Sequence, residues 1–187
     1  MNNRSLSTRK IVFTALMAAL TVAGSAIRVK VPSAIVGTNA IHLGNIMCAL
    51  SGILLGPQLG ALAAGLGSAI YDMFDPMYIA EAWLTFLMKG AYGLVAGLIT
   101  HSGKNKWNYG KATVATTAAA IVYALLYLGK SYFKGVYVKG LTSTASLLAL
   151  AEKILPTSFN AVVAIIFAPI LAIAIRKALE KNRLTLE

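Results

Sequence analysis

Acidic side chains are scarce in this chain: six Asp and Glu stand against 17 Lys and Arg, giving a net charge of +11. Charge of either sign is also missing over long stretches. No Asp, Glu, Lys or Arg occurs in the 41 positions from Val31 to Tyr71 or in the 22 from Ile154 to Ile175. Runs of that length exceed the interior of a soluble domain of this size, so their natural solvent is lipid. A single cysteine, Cys48, excludes an intramolecular disulfide, and in its apolar run it reads as a small hydrophobe. Two histidines leave no H-E-x-x-H motif and no Cys/His metal spacing, and G-x-S-x-G is absent as well. Ser102-Gly103-Lys104-Asn105 lacks the first glycine of a phosphate loop and has Asn105 where Ser or Thr would meet magnesium. No catalytic set, metal site or cofactor is therefore expected, and the chain is not read as an enzyme. The basic residues are divided among loops flanking apolar spans and form no contiguous face, which sets nucleic-acid binding aside. Topogenic charge and attraction to anionic lipid account for the excess.

What the chain does have is apolar length. Hydrophobic residues make up 58% of it and charged ones 12%, with a mean hydropathy of +0.72. This is the composition of a polytopic membrane protein. A helix crossing the hydrocarbon core needs roughly 20 residues, so about six crossings fit, in a single transmembrane domain over residues 1–187. The first crossing runs from Ile11 to Ile27 behind Arg4, Arg9 and Lys10. It resembles a signal peptide, but hydrophobic spans follow it, so an uncleaved first helix is expected. Arg28, Lys30 and Pro32 then break the pattern. Leu43 to Gly56 and Gln58 to Tyr71 follow around a Gly56-Pro57 turn, each 14 residues or about 21 Å of helix. These segments either extend into the uncharged Ser33 to His42 stretch or form a re-entrant hairpin among other helices. The fourth crossing spans Ala80 to Thr100, the fifth Ala112 to Gly129 and the sixth Ile154 to Ile175, with His101 to Lys111 a solvated turn. Ser146 to Ala151 reads as a short interfacial helix before the sixth.

Orientation follows from the basic residues. With the N-terminus inside, the cytoplasmic side holds Arg4, Arg9, Lys10, Lys104, Lys106, Lys111, Arg176, Lys177, Lys181 and Arg183. The outer side then holds Arg28, Lys30, Lys130, Lys134 and Lys139, half as many. The positive-inside rule puts both termini in the cytoplasm, in a multi-pass cell-membrane protein.

Small residues recur at four-residue spacing at Ala15, Ala19 and Ala23, at Gly56 and Gly60, at Gly93 and Gly97, and at Ala164, Ala168 and Ala172. Such stripes let helices approach closely in lipid, and most are expected to pack inside the bundle. Polar groups within or beside a membrane mark function, because burying them unsatisfied costs several kcal/mol. In this topology His42, Asn45, Ser68, Asp72, Tyr78, Glu81, Trp83, Thr85, Tyr123, Tyr127, Lys130, Glu152, Lys153, Thr157 and Asn160 all fall toward the outer side. They describe a pocket opening outward, with aromatic rings and a few donors and acceptors suited to a small, flat, polar molecule. Lys89 lies deeper and reads as structural glue. Two other classes remain open on the residues alone: a membrane enzyme using Asp72 and Glu81 as acid and base, and a channel lined by Lys89.

Five segments carry a family resemblance: His42-Leu-Gly-Asn45, Leu54-Leu-Gly-Pro-Gln-Leu-Gly60-Ala61, Gly65-Leu-Gly-Ser68-Ala-Ile-Tyr-Asp72, Leu84-Thr-Phe-Leu-Met-Lys89-Gly90 and Gly93-Leu-Val-Ala-Gly97. Together they resemble the substrate-binding S component of energy-coupling factor (ECF) transporters, most closely the riboflavin, hydroxymethylpyrimidine and pyridoxine branch. The resemblance implies six membrane helices and a vitamin or vitamin precursor bound at the outer face. It also implies docking on a transmembrane coupling subunit driven by two ATPase subunits, and toppling in the membrane to release cargo. The family's docking alanines map onto Ala15 and Ala19. Its binding regions map onto Asn39, His42, Tyr78, Glu81, Trp83, Tyr127, Lys130, Glu152 and Asn160. Hydroxymethylpyrimidine or pyridoxine is the leading cargo, with riboflavin, pantothenate and folate as alternatives.

Overall fold

The computed structural model describes residues 7–33, 37–103 and 107–182. The chain runs through α1 (Thr8–Ala26), β1 (Arg28–Ser33), β2 (Gly37–His42), α2 (Gly44–Leu55) and α3 (Pro57–Met73). A 3-10 turn (Ile79–Glu81), α4 (Ala82–Thr100), α5 (Tyr109–Phe133), a π turn (Lys134–Val138) and α6 (Ser143–Lys181) follow. Four stretches are long and apolar enough to cross a membrane: Thr8–Ala26, Ile79–Thr100, Tyr109–Val138 and Ser143–Lys181. At 12 and 17 residues, α2 and α3 are shorter. The basic residues Arg4, Lys104, Lys106 and Arg183 used for orientation lie outside the described residues.

Packing is inverted relative to a water-soluble bundle. Ala49, Ala63, Ala64, Ala96, Ala112, Ala119, Ala164, Ala168 and Ala172 are buried, while Leu16, Leu87, Leu125, Leu155, Phe159 and Phe167 are exposed. Lipid tails are as apolar as leucine, so large side chains gain nothing by turning inward, and close backbone approach holds the helices together. At the centre lies α2, packed against α1, α3, α4 and α6. It meets α3 and α4 at glycines: a Cβ on Gly60 would come within 2.5 Å of the Gly52 Cα, and one on Gly52 would run into the Gly93 carbonyl oxygen. The turn between α2 and α3 needs glycine for its backbone, because Gly56 has φ +82°, and Pro57 then starts α3 at its first position. Three buried threonine hydroxyls are satisfied within their own helices: Thr21 donates to the Met17 carbonyl at 2.8 Å, Thr100 to Ala96 at 2.7 Å and Thr116 to Ala112 at 2.9 Å.

The bundle as a whole fits the all-α expectation, but the stretch between α1 and α2 contains an antiparallel hairpin pairing Arg28 with His42 and Val31 with Asn39. The alternation Arg28-Val29-Lys30-Val31 is a two-residue period with β-branched residues, which favours a strand. Hydropathy windows average that signal away, so Ser33 to His42 read only as a possible helix extension. Helix starts also differ from the hydropathic limits. Asn108 Oδ1 accepts from the Lys111 N–H at 2.9 Å and begins α5 at Tyr109. Thr142 Oγ1 accepts from the Ala145 N–H at 3.2 Å and begins α6 at Ser143. The expected interfacial piece Ser146 to Ala151 and the sixth crossing are thus one helix of 39 residues, about 58 Å long and longer than the bilayer core.

The glycine junction sets the first prediction. Gly60→Leu or Gly93→Val should destabilise the bundle by about 1–3 kcal/mol through overpacking, read as a lowered Tm in detergent. Gly129→Ala, where an added Cβ meets nothing within 4 Å, should leave Tm unchanged or raise stability by up to about 1 kcal/mol.

Candidate functional site

Because α2 starts low in the bundle, its first turn faces the middle of its neighbours rather than their ends. Asn45, the second residue of α2, accepts a hydrogen bond from Lys89 Nζ, two turns into α4. The space beyond α2 is closed on one side by the hairpin. What remains is a cavity of about 310 Å³, walled by the hairpin, the end of α3, the start of α4, the end of α5 with its π turn, and α6.

Two fastenings hold the hairpin. On α6, Asn160 Oδ1 accepts the His42 N–H at 3.0 Å while Asn160 Nδ2 donates to the Ala40 carbonyl at 3.0 Å. One side-chain amide thereby satisfies two of the backbone polar groups that β2 turns toward α6. One turn before Asn160 on α6, Pro156 has no N–H to give the Glu152 carbonyl a turn earlier still. Asn39 Nδ2 donates to that carbonyl instead, at 3.0 Å. On the other side, Arg28 pairs with Asp72 at 3.9 Å and Asp75 at 3.6 Å and lies over the rings of Tyr71 and Tyr78, 4.5 and 5.2 Å from their centroids. The hairpin is thus tied to α3 by a largely buried guanidinium.

Aromatic rings form the inner wall. Tyr123 and Tyr127 are nearly parallel, 13° apart in plane with centroids 5.9 Å apart, and Tyr92 leans on Tyr123 at 5.8 Å. Lys89 Nζ lies 4.1 Å from the Tyr123 centroid, and Lys130 and Lys153 lie 5.4 and 5.1 Å from that of Tyr127. Glu81 pairs with Lys130 at 2.6 Å and with Lys134. Lys153 donates to Ser131 Oγ at 2.9 Å. Cys48 is buried with its sulfur 3.6 Å from Ser68 Oγ.

His42 Nδ1 accepts the Gly44 N–H at 3.1 Å, so the ring's own proton sits on Nε2. Burial first, then the charges of Lys89 and Arg28, hold this imidazole well below its ordinary pKa of 6.5. The ring is therefore neutral at pH 7, able to donate from Nε2 without adding charge.

Of the residues expected from the sequence, Asn39, His42, Tyr78, Glu81, Tyr127, Lys130 and Asn160 line the cavity together. Trp83 does not: it is 63% exposed on the outside of α4. Glu81, Thr85 and Lys89 recur every four residues on the inward face, and Trp83, two positions after Glu81, is turned roughly 200° around the helix. Glu152 contributes its backbone carbonyl to the hairpin rather than a cavity wall. Arg28 and Lys134 line the cavity although the sequence reading treated them only as orienting charges; the signal available was that both flank apolar ends on one side. Ala15, Ala19 and Ala23 all lie on the exposed face of α1.

Two comparisons bear on the site. The family model described as ECF-type riboflavin transporter, S component, matches residues 5–177. A Pyrococcus woesei protein described as an uncharacterized protein in a gap 3′ region is 32% identical over 114 residues, covering 61% of this chain and 72% of that relative.

The depressed imidazole carries a pH dependence. The unfolded chain takes up a proton at His42 near pH 6.5 and the folded one does so only at lower pH. Stability from this group is therefore complete above about pH 6.5 and declines as pH falls toward the folded value, by up to about 1.4 kcal/mol per pH unit. In melts at pH 7.5 and 5.5, the wild type should lose more Tm than His42→Asn, whose amide oxygen keeps the Gly44 acceptor and does not titrate.

Proposed function

The chain belongs to the family of ECF-type riboflavin transporter S components, and from that membership we propose that it is the specificity subunit capturing a water-soluble vitamin or vitamin precursor for ATP-driven uptake. The family consists of membrane transport proteins rather than enzymes, which retires the acid and base roles considered for Asp72 and Glu81. The observation that carries the cargo reading is the cavity of about 310 Å³ with parallel tyrosines on one wall and His42, Asn45 and Ser68 among its polar groups. Such a wall stacks a flat ring while the polar groups set its orientation.

In this reading the cavity opens on the outer face, the six helices span the cell membrane, and both termini are cytoplasmic. The volume is at the small end of ligand pockets. That supports a compact ring such as hydroxymethylpyrimidine or pyridoxine, with riboflavin, the vitamin in the family's description, as the main alternative. Asn39 and Asn160 act as supports, because their amides are engaged with the hairpin and α6. Stacking falls to Tyr127 with Tyr123 beside it.

The coupling module is a transmembrane subunit with two ATPases. Its docking surface on this chain is the exposed stripe of Ala15, Ala19 and Ala23 on α1, flanked by exposed Leu16 and Leu20. A stripe without bulk toward lipid lets a partner helix come close.

Isothermal titration of the purified protein against B vitamins and their precursors should give one cargo with a Kd tighter than about 1 μM, near 8 kcal/mol. Absence of any such binding would refute the scavenging role. Ala15→Trp or Ala19→Trp should reduce cellular uptake of that cargo to background while the titration stays unchanged. Unimpaired uptake would move the docking surface elsewhere.

A further inference from the structure

The cavity's charges do not balance. Its two carboxylates are already engaged, Asp72 with Arg28 at 3.9 Å and Glu81 with Lys130 at 2.6 Å and with Lys134. Of the three further ammonium groups on the walls, Lys139 is exposed. The other two, Lys89 and Lys153, have only neutral hydrogen-bond partners, Asn45 Oδ1 and Ser131 Oγ. Neither makes an ion pair among the described residues. Lys89 is 4% exposed, and an ammonium that buried is costly without a counter-charge. Each of the two lies over one member of the parallel tyrosine pair, Lys89 4.1 Å from Tyr123 and Lys153 5.1 Å from Tyr127. A ring face attracts a cation but does not neutralise it. Both ends of the stacking wall thus carry an ammonium group without an ion-pair partner among the described residues.

We propose that the soluble molecule held here carries an anionic group, a carboxylate or a phosphate, and that Lys89 and Lys153 receive it. The proposal rests on this cavity being the cargo site, and within that reading it favours an anionic vitamin or a phosphate ester over neutral hydroxymethylpyrimidine, pyridoxine and riboflavin. The ring packs along Tyr123 and Tyr127, and the anion replaces the counter-charge the wall lacks. A neutral analogue of the same shape would leave both ammonium groups without a counter-charge.

Matched pairs differing only in charge test it: riboflavin against riboflavin 5′-phosphate, pyridoxine against pyridoxine 5′-phosphate, and panthenol against pantothenate, each titrated into the detergent-purified protein. In at least one pair the anionic member should bind about ten-fold tighter or more, the size of one charge-assisted hydrogen bond, and the advantage should shrink as salt rises. Lys153→Gln and Lys89→Met should each erase that advantage. Lys153, at the half-buried end of the wall, supplies the variant expected to keep its Tm if Lys89→Met unfolds. Tight binding of a neutral member without preference for its anionic partner would overturn the proposal and leave the vitamin-binding role intact. An anionic preference unchanged in Lys153→Gln and in a folded Lys89→Met would also overturn it. Displacement of the anion by phosphatidylglycerol but not by phosphatidylcholine in nanodiscs would assign the two lysines to a lipid headgroup instead. No binding by either member of any pair would remove the cargo-site reading, and this inference with it.

Discussion

The close approach of α2, α3 and α4 at Gly52, Gly60 and Gly93 is the constraint from which the remaining architecture follows. In lipid there is no water to drive side chains inward, so attraction between helices depends on how nearly their backbones touch. Glycine at the crossing permits contact that any side chain would block. With α2 held centrally by that contact and only 12 residues long, its neighbours extend past it at one end. The volume beyond its first turn is neither lipid nor packed helix, and there polar residues of all six helices and both strands converge.

A cavity in that position needs a wall that helices do not supply, and the hairpin provides it. Strands leave backbone groups unsatisfied on their outer edges, and here side-chain amides meet part of that demand. Asn160 serves β2 with both ends of its amide, and Asn39 uses a carbonyl that Pro156 leaves without its helical partner. The proline inside α6 therefore creates the acceptor that anchors the hairpin. Arg28 fastens the opposite side through two carboxylates and two tyrosine faces. The residues that hold the wall also line the cavity, so their polar chemistry is divided between fastening the hairpin and facing the enclosed space.

The same small-residue spacing stands in two different settings in this chain. Ala164, Ala168 and Ala172 are fully buried and bring α6 against the core, whereas Ala15, Ala19 and Ala23 lie on the exposed face of α1. Spacing sets how close a partner can come, but not whether that partner belongs to the same chain. Only the rotation of each helix about its axis decides that, and the neighbours determine the rotation.

The sequence alone determined the solvent, the helical segments and the end of the bundle where polar groups gather, because hydropathy and charge are sums over local residues and survive without coordinates. It also carried the family, through short motifs clustered on α2, α3 and α4. The tertiary structure decided the hairpin, the continuity of α6 through its polar start, the outward turn of Trp83 and the pairing of each lysine. Those depend on which atoms from distant segments meet: Asn39 with a carbonyl 113 positions away, Glu81 with a lysine 49 away. Composition counts the charges in such a cavity. Which of them cancel is a matter of a few ångströms, and that is set only when the chain has folded.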